Sequence, residues 1–440
     1  MKIKPNPVSF KWWTARACVG VLVFGAPFMA MAAEDTPPSD QWMTGFPPAD
    51  NRIIRNTDRD FFAGEKLRWT VCHLRELFPS KKVHRGLGAP IDLAYELDPA
   101  IDSLTFTPIG SQDTMTWDQA FDVNHTDGLI VLHKGKVVYE RYAGCLDEMG
   151  THAAMSMTKS LTGLLAETLI VEGELDEFAL AKDVIPELKD SAFGDATVRQ
   201  IMNMTTGVQF SEDYSDPDAD LWKYSAAASP MPRPDDYEGP RSYFEYLQTV
   251  KAKGEHGEAF TYRTINSDAL GWIIARVTGQ SVAELLSERI WQRMGAEQSG
   301  YFTIDSIGTP FAGGGLNAGL RDLARIGQMM LNEGRFNGQQ LVPAEAVRRI
   351  RQGGEQELFA KAGYATLPEG SYKSMWWLFH NENEAYAARG VHGQTIYIDP
   401  TAEMVIVRLA SYPQGPNSLN DPTSLPAYQA VANYLSREGE

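Results

Sequence analysis

The chain has 440 residues, of which 40 are Lys or Arg and 57 are Asp or Glu, so its formal net charge at pH 7 is −17. An acidic balance of this size argues against nucleic acid or an anionic membrane as a partner, and no basic stripe in the sequence offsets it. The length exceeds one typical domain and fits two lobes that share a site.

The first 32 residues have the pattern of a secretory signal peptide. Four cationic residues accompany an apolar run from Cys18 to Met29, and Ala30-Met31-Ala32 is a small-x-small cleavage site. The apolar run is too short to span a bilayer, and no later segment approaches the required length. We therefore predict a signal peptide over residues 1–32 and an exported protein, periplasmic or secreted, whose mature chain is not inserted in the membrane.

A Pro- and Asp-rich segment follows over residues 33–110, and we predict that it wraps around the rest of the protein. After removal of the signal, Cys72 and Cys145 are the two remaining cysteines. An oxidising compartment allows them to form one disulfide, although the sequence does not show whether their Cα atoms come within reach. Their spacing matches neither a CxxC redox motif nor a zinc site.

Strand patterns then occur near both ends of the remaining chain, with helical patterns between them. Hairpins are predicted at Lys134-Gly135 and Asp399-Pro400, because β-rich runs flank each turn. Helices are predicted over 197–204, 242–253, 268–277, 321–332 (opened by Gly313 to Gly315) and 426–437. This order predicts an α/β (α+β) fold, in which helices flank an antiparallel sheet and a mostly helical lobe, residues 174–300, is inserted.

The most informative stretch is Ser156-Met157-Thr158-Lys159. Leucines recur after it at helical spacing, which predicts that a buried helix begins here. Residues i and i+3 of a helix share a face, so the amine of Lys159 can reach the hydroxyl of Ser156. The pattern predicts a nucleophile with its own base, and the Ser156 N–H at the helix start is a predicted oxyanion donor. A helix-start Ser followed by a solvated Lys is an equally weighted interpretation of this stretch alone.

Two later segments offer partners for that pair. Tyr262 lies where a loop meets a helix and could share the Ser156 proton or protonate the leaving group; a half-buried structural Tyr is the alternative. Between Gly390 and Gln394 the glycines permit close approach to a ligand, and the N–H of Gln394 is the predicted second oxyanion donor. His392 either binds a substrate carboxylate, tunes Lys159, or is structural.

Residues 209–240 carry five prolines and eight acidic residues against two cations. Such a segment is either a solvated loop or a lid. As a lid, it would present carboxylates together with Trp222, Tyr224 or Tyr237 to a cationic group of the substrate.

The histidines show no H-E-x-x-H or similar ligand spacing, so we predict neither a metal nor another cofactor. The G-x-S-x-G elbow of α/β-hydrolases is absent from the sequence.

The order Ser156-x-x-Lys159, Tyr262-x-Thr264, then His392-Gly393 near the C-terminus resembles the three motifs of the serine β-lactamase and penicillin-binding protein superfamily. The resemblance covers roughly residues 120–435 and is strongest to class C-like esterases and 6-aminohexanoate-dimer hydrolases. It implies a β-lactamase/transpeptidase-like catalytic domain over residues 111–440. It also implies that Ser156 is the acylated nucleophile, Lys159 its base and Tyr262 the partner acid/base, with Thr264, His392 and Gly393 at the substrate.

Two departures from the motifs narrow the expected activity. Thr264 stands where penicillin-recognising members have Asn, and Val391-His392-Gly393 stands where they have Lys-Thr-Gly. Because the lysine that would grip a β-lactam carboxylate is missing, we predict hydrolysis of a small-molecule ester or small amide. The alternatives are a D,D-peptidase or D-aminopeptidase, and a non-catalytic protein that binds cell-wall fragments. The sequence does not indicate the oligomeric state.

Overall fold

The structure is a computed structural model that describes residues 41–437 except 59, 214, 215, 217, 230–232 and 234. The predicted signal peptide and the start of the predicted wrapping segment lie outside the described residues. The described residues all belong to one compact unit. None of the helices within these residues combines the length and the apolar character needed to cross a membrane.

Sixteen strands are present in the part of the chain that the structure describes. They are β1 (Ser80–Val83), β2 (Ala94–Tyr95), β3 (Thr105–Phe106), β4 (Met115–Thr116), β5 (Thr126–His133), β6 (Lys136–Tyr142), β7 (His152–Ala153), β8 (Gly300–Thr303), β9 (Leu316–Ala318), β10 (Arg335–Phe336), β11 (Gln339–Gln340), β12 (Ser371–Lys373), β13 (Trp376–Leu378), β14 (Tyr386–Gly390), β15 (Gln394–Asp399) and β16 (Met404–Ala410).

Thirteen α-helices lie within the same described residues. They are α1 (Gly64–Leu77), α2 (Trp117–Val123), α3 (Met157–Val171), α4 (Ala181–Val184), α5 (Val198–Met202), α6 (Asp220–Ala228), α7 (Tyr243–Thr249), α8 (Ile265–Thr278), α9 (Val282–Leu286), α10 (Leu320–Leu331), α11 (Ala344–Arg351), α12 (Gln356–Ala360) and α13 (Asp421–Arg437).

The main sheet has eight strands in the order β12-β13-β14-β15-β16-β5-β6-β2, and every neighbouring pair is antiparallel except β2 with β6. Both predicted hairpins, β5–β6 and β15–β16, lie in this sheet. They meet where β16 pairs with β5, from Met404 opposite His133 to Ala410 opposite Thr126. The prediction of a largely antiparallel sheet assembled from distant parts of the chain is confirmed.

Helices cover both faces of this sheet, which explains why β5 is apolar on both sides. Ile130 and Leu132 pack into the core that contains α3 and α10, whereas Leu129 and Val131 pack into a second core with α2 and α13. Successive side chains of a strand point to opposite faces, so a strand between two helical layers must be apolar throughout.

A second sheet, in the order β1-β8-β9-β7, was not expected from the sequence. The prediction that Gly313 to Gly315 opens a helix is wrong, because these glycines lead into strand β9 and α10 begins only at Leu320. Leu316 and Ala318 are fully buried and pair with the neighbouring strands, which favours the strand. Strand β7 ends three residues before Ser156, so this sheet positions the chain that enters α3.

The segment predicted above to wrap around the protein contains a helix, α1, that the sequence analysis missed. A disulfide joins Cys72 on α1 to Cys145, with their Cα atoms 6.0 Å apart. The helix packs against Ala153 and Met155, immediately before Ser156. The N-terminal segment therefore supports the turn that presents Ser156.

Candidate active site

Ser156 stands at the N-terminus of α3, on a tight turn of the backbone. The residue before it, Met155, has φ of 47° and so lies in the left-handed region, which is unfavourable for a residue with a side chain. The turn is fixed by the hydroxyl of Thr158, which donates to Met155 O at 2.6 Å and accepts the N–H of Leu316 at 3.1 Å. Ser156 itself is partly exposed, whereas α3 behind it is buried from Met157 to Leu169.

The amine of Lys159 lies 2.9 Å from Ser156 Oγ and donates to it. It also donates to the carbonyl oxygen of Gly313, from the loop before β9. Lys159 is 1% exposed, so its amine is held between these two oxygens away from bulk water. The predicted pair therefore exists, and the alternative of a solvated lysine is excluded.

Burial lowers the pKa of Lys159 from its ordinary value of 10.5 to about 8. Loss of solvation is the largest cause, because it penalises the charged form of an amine. The carboxylates of Glu212 and Asp268 act in the opposite direction and favour the ammonium. The buried amine consequently loses its proton far more readily than a lysine in water does.

Tyr262 lies beside this pair. Its ring centroid is 5.2 Å from the Lys159 amine, and the ring stacks on Trp377 with the centroids 5.5 Å apart. Tyr262 is partly exposed and packs against the main core. Tyr262, about a hundred residues further along the sequence, thus meets Ser156 and Lys159 at one place.

Thr264 is also at this site, where it holds a carboxylate. Its backbone N–H donates to Glu212 Oε2 at 2.6 Å and its hydroxyl donates to Glu212 Oε1 at 2.5 Å. A Cβ built on Gly313 would lie 2.6 Å from the Thr264 methyl group, so these two residues are in close contact. Glu212 comes from the acidic 209–240 segment, and the sequence analysis did not single it out.

Asp268 is a second carboxylate that the sequence analysis missed. It lies on α8, is 2% exposed, and accepts the N–H of Ala312 at 3.0 Å. The hydroxyl of Tyr224 also donates to it. The suggestion that Tyr224 contacts the substrate is therefore corrected: this side chain is 1% exposed and its hydroxyl is bound to Asp268, because its ring packs within an aromatic cluster.

Gly390, at the end of β14, lies close to the Ser156 amide. A Cβ built on Gly390 would lie 2.9 Å from Ser156 N and 2.8 Å from Ala154 O, so only glycine fits without displacing the turn. Gln394, the predicted second oxyanion donor, begins β15 and pairs with Gly390 across the ladder. Its side chain is buried and bonded to the backbone of Ala410.

His392 and Gly393 lie between these two positions. His392 Nδ1 is 2.7 Å from Tyr412 O, and its ring packs edge-on against Phe62. Burial lowers the pKa of His392, so the imidazole favours its neutral form. These contacts favour the structural alternative for His392. Gly393 has φ of 94°, which its missing side chain allows, and its carbonyl oxygen accepts from Arg408.

Trp222, the remaining predicted substrate contact, is 43% exposed on α6, and its indole N–H donates to Asp216 O at 2.8 Å.

In the part of the chain that the structure describes, one group of His, Cys and acidic residues has metal-ligand spacing: Cys72, Cys145 and His152. Its two sulfurs are bonded to each other.

Comparison with known proteins gives a consistent result. The Beta-lactamase family matches residues 123–427. A 6-aminohexanoate-dimer hydrolase of Paenarthrobacter ureafaciens is 33% identical over 349 residues, covering 79% of this chain and 86% of that protein. The solved structure of a candidate 6-aminohexanoate-dimer hydrolase from Bacillus anthracis is 31% identical, with a TM-score of 0.79, and covers 89% of this chain and 99% of that one.

A more distant structure, EstCE1, a hydrolase with promiscuous acyltransferase activity, shares the fold at 14% identity. Its TM-score is 0.56, and the match covers 72% of this chain and 96% of that one.

Proposed function

This chain belongs to the β-lactamase family of serine hydrolases, and on that premise we propose that it cleaves a short ester or linear amide through an acyl intermediate on Ser156. The observation that carries the proposal is the 2.9 Å contact between the Lys159 amine and Ser156 Oγ at the start of a buried helix. A nucleophile within hydrogen-bond reach of its base is the arrangement that covalent catalysis requires.

In the first half of the reaction, Ser156 Oγ attacks the substrate carbonyl while its proton passes to the neutral amine of Lys159. The carbonyl oxygen becomes an oxyanion, and the N–H of Ser156 at the positive end of α3 stabilises it. We expect the second hydrogen-bond donor to the oxyanion to come from residues 390–394, because Gly390 lies close to Ser156. Within this segment, the N–H of Gln394 remains the predicted donor.

The intermediate then expels its alcohol or amine leaving group, which needs a proton. Tyr262, beside the Lys159 amine, carries that proton from Lys159 to the leaving group. In the second half a water attacks the acyl carbonyl while its proton passes through Tyr262 to Lys159. The bond between the acyl carbon and Ser156 Oγ then breaks, and Lys159 returns the proton to Ser156 Oγ. This sequence restores Ser156 and leaves the acid as the second product.

The site supports a short linear substrate better than a β-lactam. Val391 stands where a β-lactam-recognising member would carry the lysine that grips the carboxylate. The neighbouring His392 does not replace that cation, because it is 8% exposed, bonded to Tyr412 O, and favours its neutral form. The relative at 33% identity is a 6-aminohexanoate-dimer hydrolase, so a linear amide between two amino acids is the substrate class we favour.

A D-aminopeptidase-type activity is the second candidate, and Glu212 favours it. This carboxylate is held at the site by Thr264 and could bind the free ammonium of an aminoacyl substrate.

Export is also part of the proposal. It rests on the N-terminal signal pattern and on the disulfide between Cys72 and Cys145, because disulfides persist in oxidising compartments.

Labelling with a fluorophosphonate probe followed by mass spectrometry of tryptic peptides tests the nucleophile without knowledge of the substrate. We expect label on Ser156, none in Ser156→Ala, and normal labelling in Ser418→Ala, which changes an exposed serine. Label on another residue, or turnover retained by a folded Ser156→Ala protein, refutes the proposal.

A substrate panel then separates the candidate activities. It contains p-nitrophenyl esters, the 6-aminohexanoate dimer, D-aminoacyl amides and nitrocefin. Glu212→Gln tests whether this carboxylate binds an ammonium group: it should raise KM for the 6-aminohexanoate dimer and for D-aminoacyl amides, which both carry one, more than KM for neutral esters. Turnover of nitrocefin alone would contradict the preference for linear substrates.

A further inference from the structure

A buried carboxylate lies behind the Ser156–Lys159 pair and has no part in the steps above. Oδ1 of Asp268 accepts the N–H of Ala312, and its other oxygen accepts the hydroxyl of Tyr224. Gly313 follows Ala312 in the chain, and its carbonyl oxygen accepts a hydrogen bond from the Lys159 amine. Asp268 thus binds the loop through Ala312, and the same loop binds the Lys159 amine through Gly313.

We propose that Asp268 is a positioning residue of this site: it fixes the loop that orients the Lys159 amine, and its negative charge sets the pH at which that amine becomes neutral. The inference rests on the proposed function, because it concerns the group that activates Ser156. The sequence gives no local signal for it, since Asp268 lies 109 residues after Lys159.

The contacts of Asp268 explain why its charge matters here. Lys159 on α3, Tyr224 on α6 and Tyr243 on α7 face the carboxyl group, and Glu212 acts on the same amine from the loop before α6. Burial raises the pKa of both tyrosines well above their ordinary range, so both are neutral. Asp268 and Glu212 are therefore the negative charges that raise the pKa of Lys159 and so oppose the effect of its desolvation.

Desolvation raises the pKa of Asp268, and the hydroxyl of Tyr224 is the strongest influence in the other direction. The same burial lowers the pKa of Lys159, and attraction between the two groups opposes both shifts. An ionised Asp268 consequently favours the ammonium form of Lys159. Removing its charge should let the amine lose its proton at lower pH.

The test uses Asp268→Asn, in which the amide oxygen can still accept the N–H of Ala312. The readout is the second-order rate of fluorophosphonate labelling of Ser156 between pH 5 and 10, which needs no identified substrate. We expect the pH at half-maximal rate to fall by about 1 unit relative to the unchanged chain. Asp190→Asn, an exposed acid, should leave the profile in place.

Tyr224→Phe provides an independent variant, should Asp268→Asn fail to fold. It keeps the carboxylate but removes the donor that stabilises its charge, so Asp268 is more often protonated near neutral pH. We expect a shift in the same direction and of smaller size.

A purely structural role for Asp268 would lower the fraction of protein that can be labelled and leave the midpoint of the profile unchanged. That result, in either variant, overturns the inference while Ser156 is still labelled. Label on a different residue in the unchanged chain overturns the proposed function instead, so the two failures are distinguishable.

Discussion

Replacing Lys159 by Arg removes the proposed base but keeps a cation at the same position. Arginine cannot lose its proton in a protein, so no neutral group remains to accept the proton of Ser156. The size of the effect follows from the environment of Lys159. With its pKa at about 8, about one amine in ten is neutral at pH 7, against about one in three thousand for an ordinary lysine.

The net effect of the site, in which desolvation outweighs the two carboxylates, therefore favours the neutral amine by about 3 kcal/mol relative to a lysine in water. Without a proton acceptor we expect kcat/KM to fall by about 10²- to 10⁴-fold, the usual contribution of a general base. In the unchanged chain, kcat/KM should rise with pH and level off above about pH 8, because only a deprotonated Lys159 amine can accept the proton of Ser156.

The assay measures kcat/KM for a p-nitrophenyl ester between pH 6 and 10, in protein whose folding is checked by thermal unfolding. Lys189→Arg, the same substitution at an exposed lysine, is the matched control and should behave like the unchanged chain. Lys159→Met, which places no charge in the buried site, separates loss of the base from the presence of a bulky cation. Near-normal activity of Lys159→Arg, with the acid limb still at about pH 8, would falsify the assignment of Lys159 as the base.

Tyr262→Phe keeps the ring that covers Lys159 but removes the hydroxyl; we expect kcat for an amide to fall by about 10²-fold or more and kcat for an activated ester to fall less, because p-nitrophenolate leaves without a proton. Equal losses for both substrates would contradict the leaving-group role. Gly390→Ala places a methyl group within 2.9 Å of Ser156 N, so labelling of Ser156 should slow strongly, whereas Gly88→Ala, with open space around it, should change nothing. Replacing Cys72 and Cys145 together by Ala opens a loop of 73 residues and should lower the free energy of unfolding by about 4 kcal/mol, as measured by urea titration. An unchanged midpoint would mean that the disulfide does not constrain the unfolded chain.

The sequence predicts those parts of the site that depend on local geometry. Ser156 and Lys159 are one helical turn apart, so their contact follows from the helix alone. The hairpins of the main sheet have short turns and alternating or continuous apolar strands, and these signals are also local. Family motifs then extended the prediction to Tyr262, which lies a hundred residues further along the chain.

The parts of the site that the sequence does not predict are those that depend on tertiary contacts. Glu212, Asp268 and Gly313 reach Lys159 from three separate segments, and nothing in the residues around each of them predicts this meeting. The acidic neighbours of Tyr224 indicate either a solvated loop or a lid that faces the substrate, yet its own ring is buried. An acidic composition describes the segment as a whole and does not tell which of its side chains points inward.

The structure places two opposing influences on one amine. Glu212 and Asp268 favour the charged form of Lys159, while burial favours the neutral form and is the larger cause. The carboxylates therefore cannot serve to create the neutral base; they limit how far its pKa falls, which keeps the amine basic enough to take the proton of a serine hydroxyl. A base must be deprotonated before the reaction and still hold a proton during it, so the most useful pKa lies near the working pH. Desolvation alone would lower the pKa of Lys159 further, and the two nearby carboxylates limit that fall.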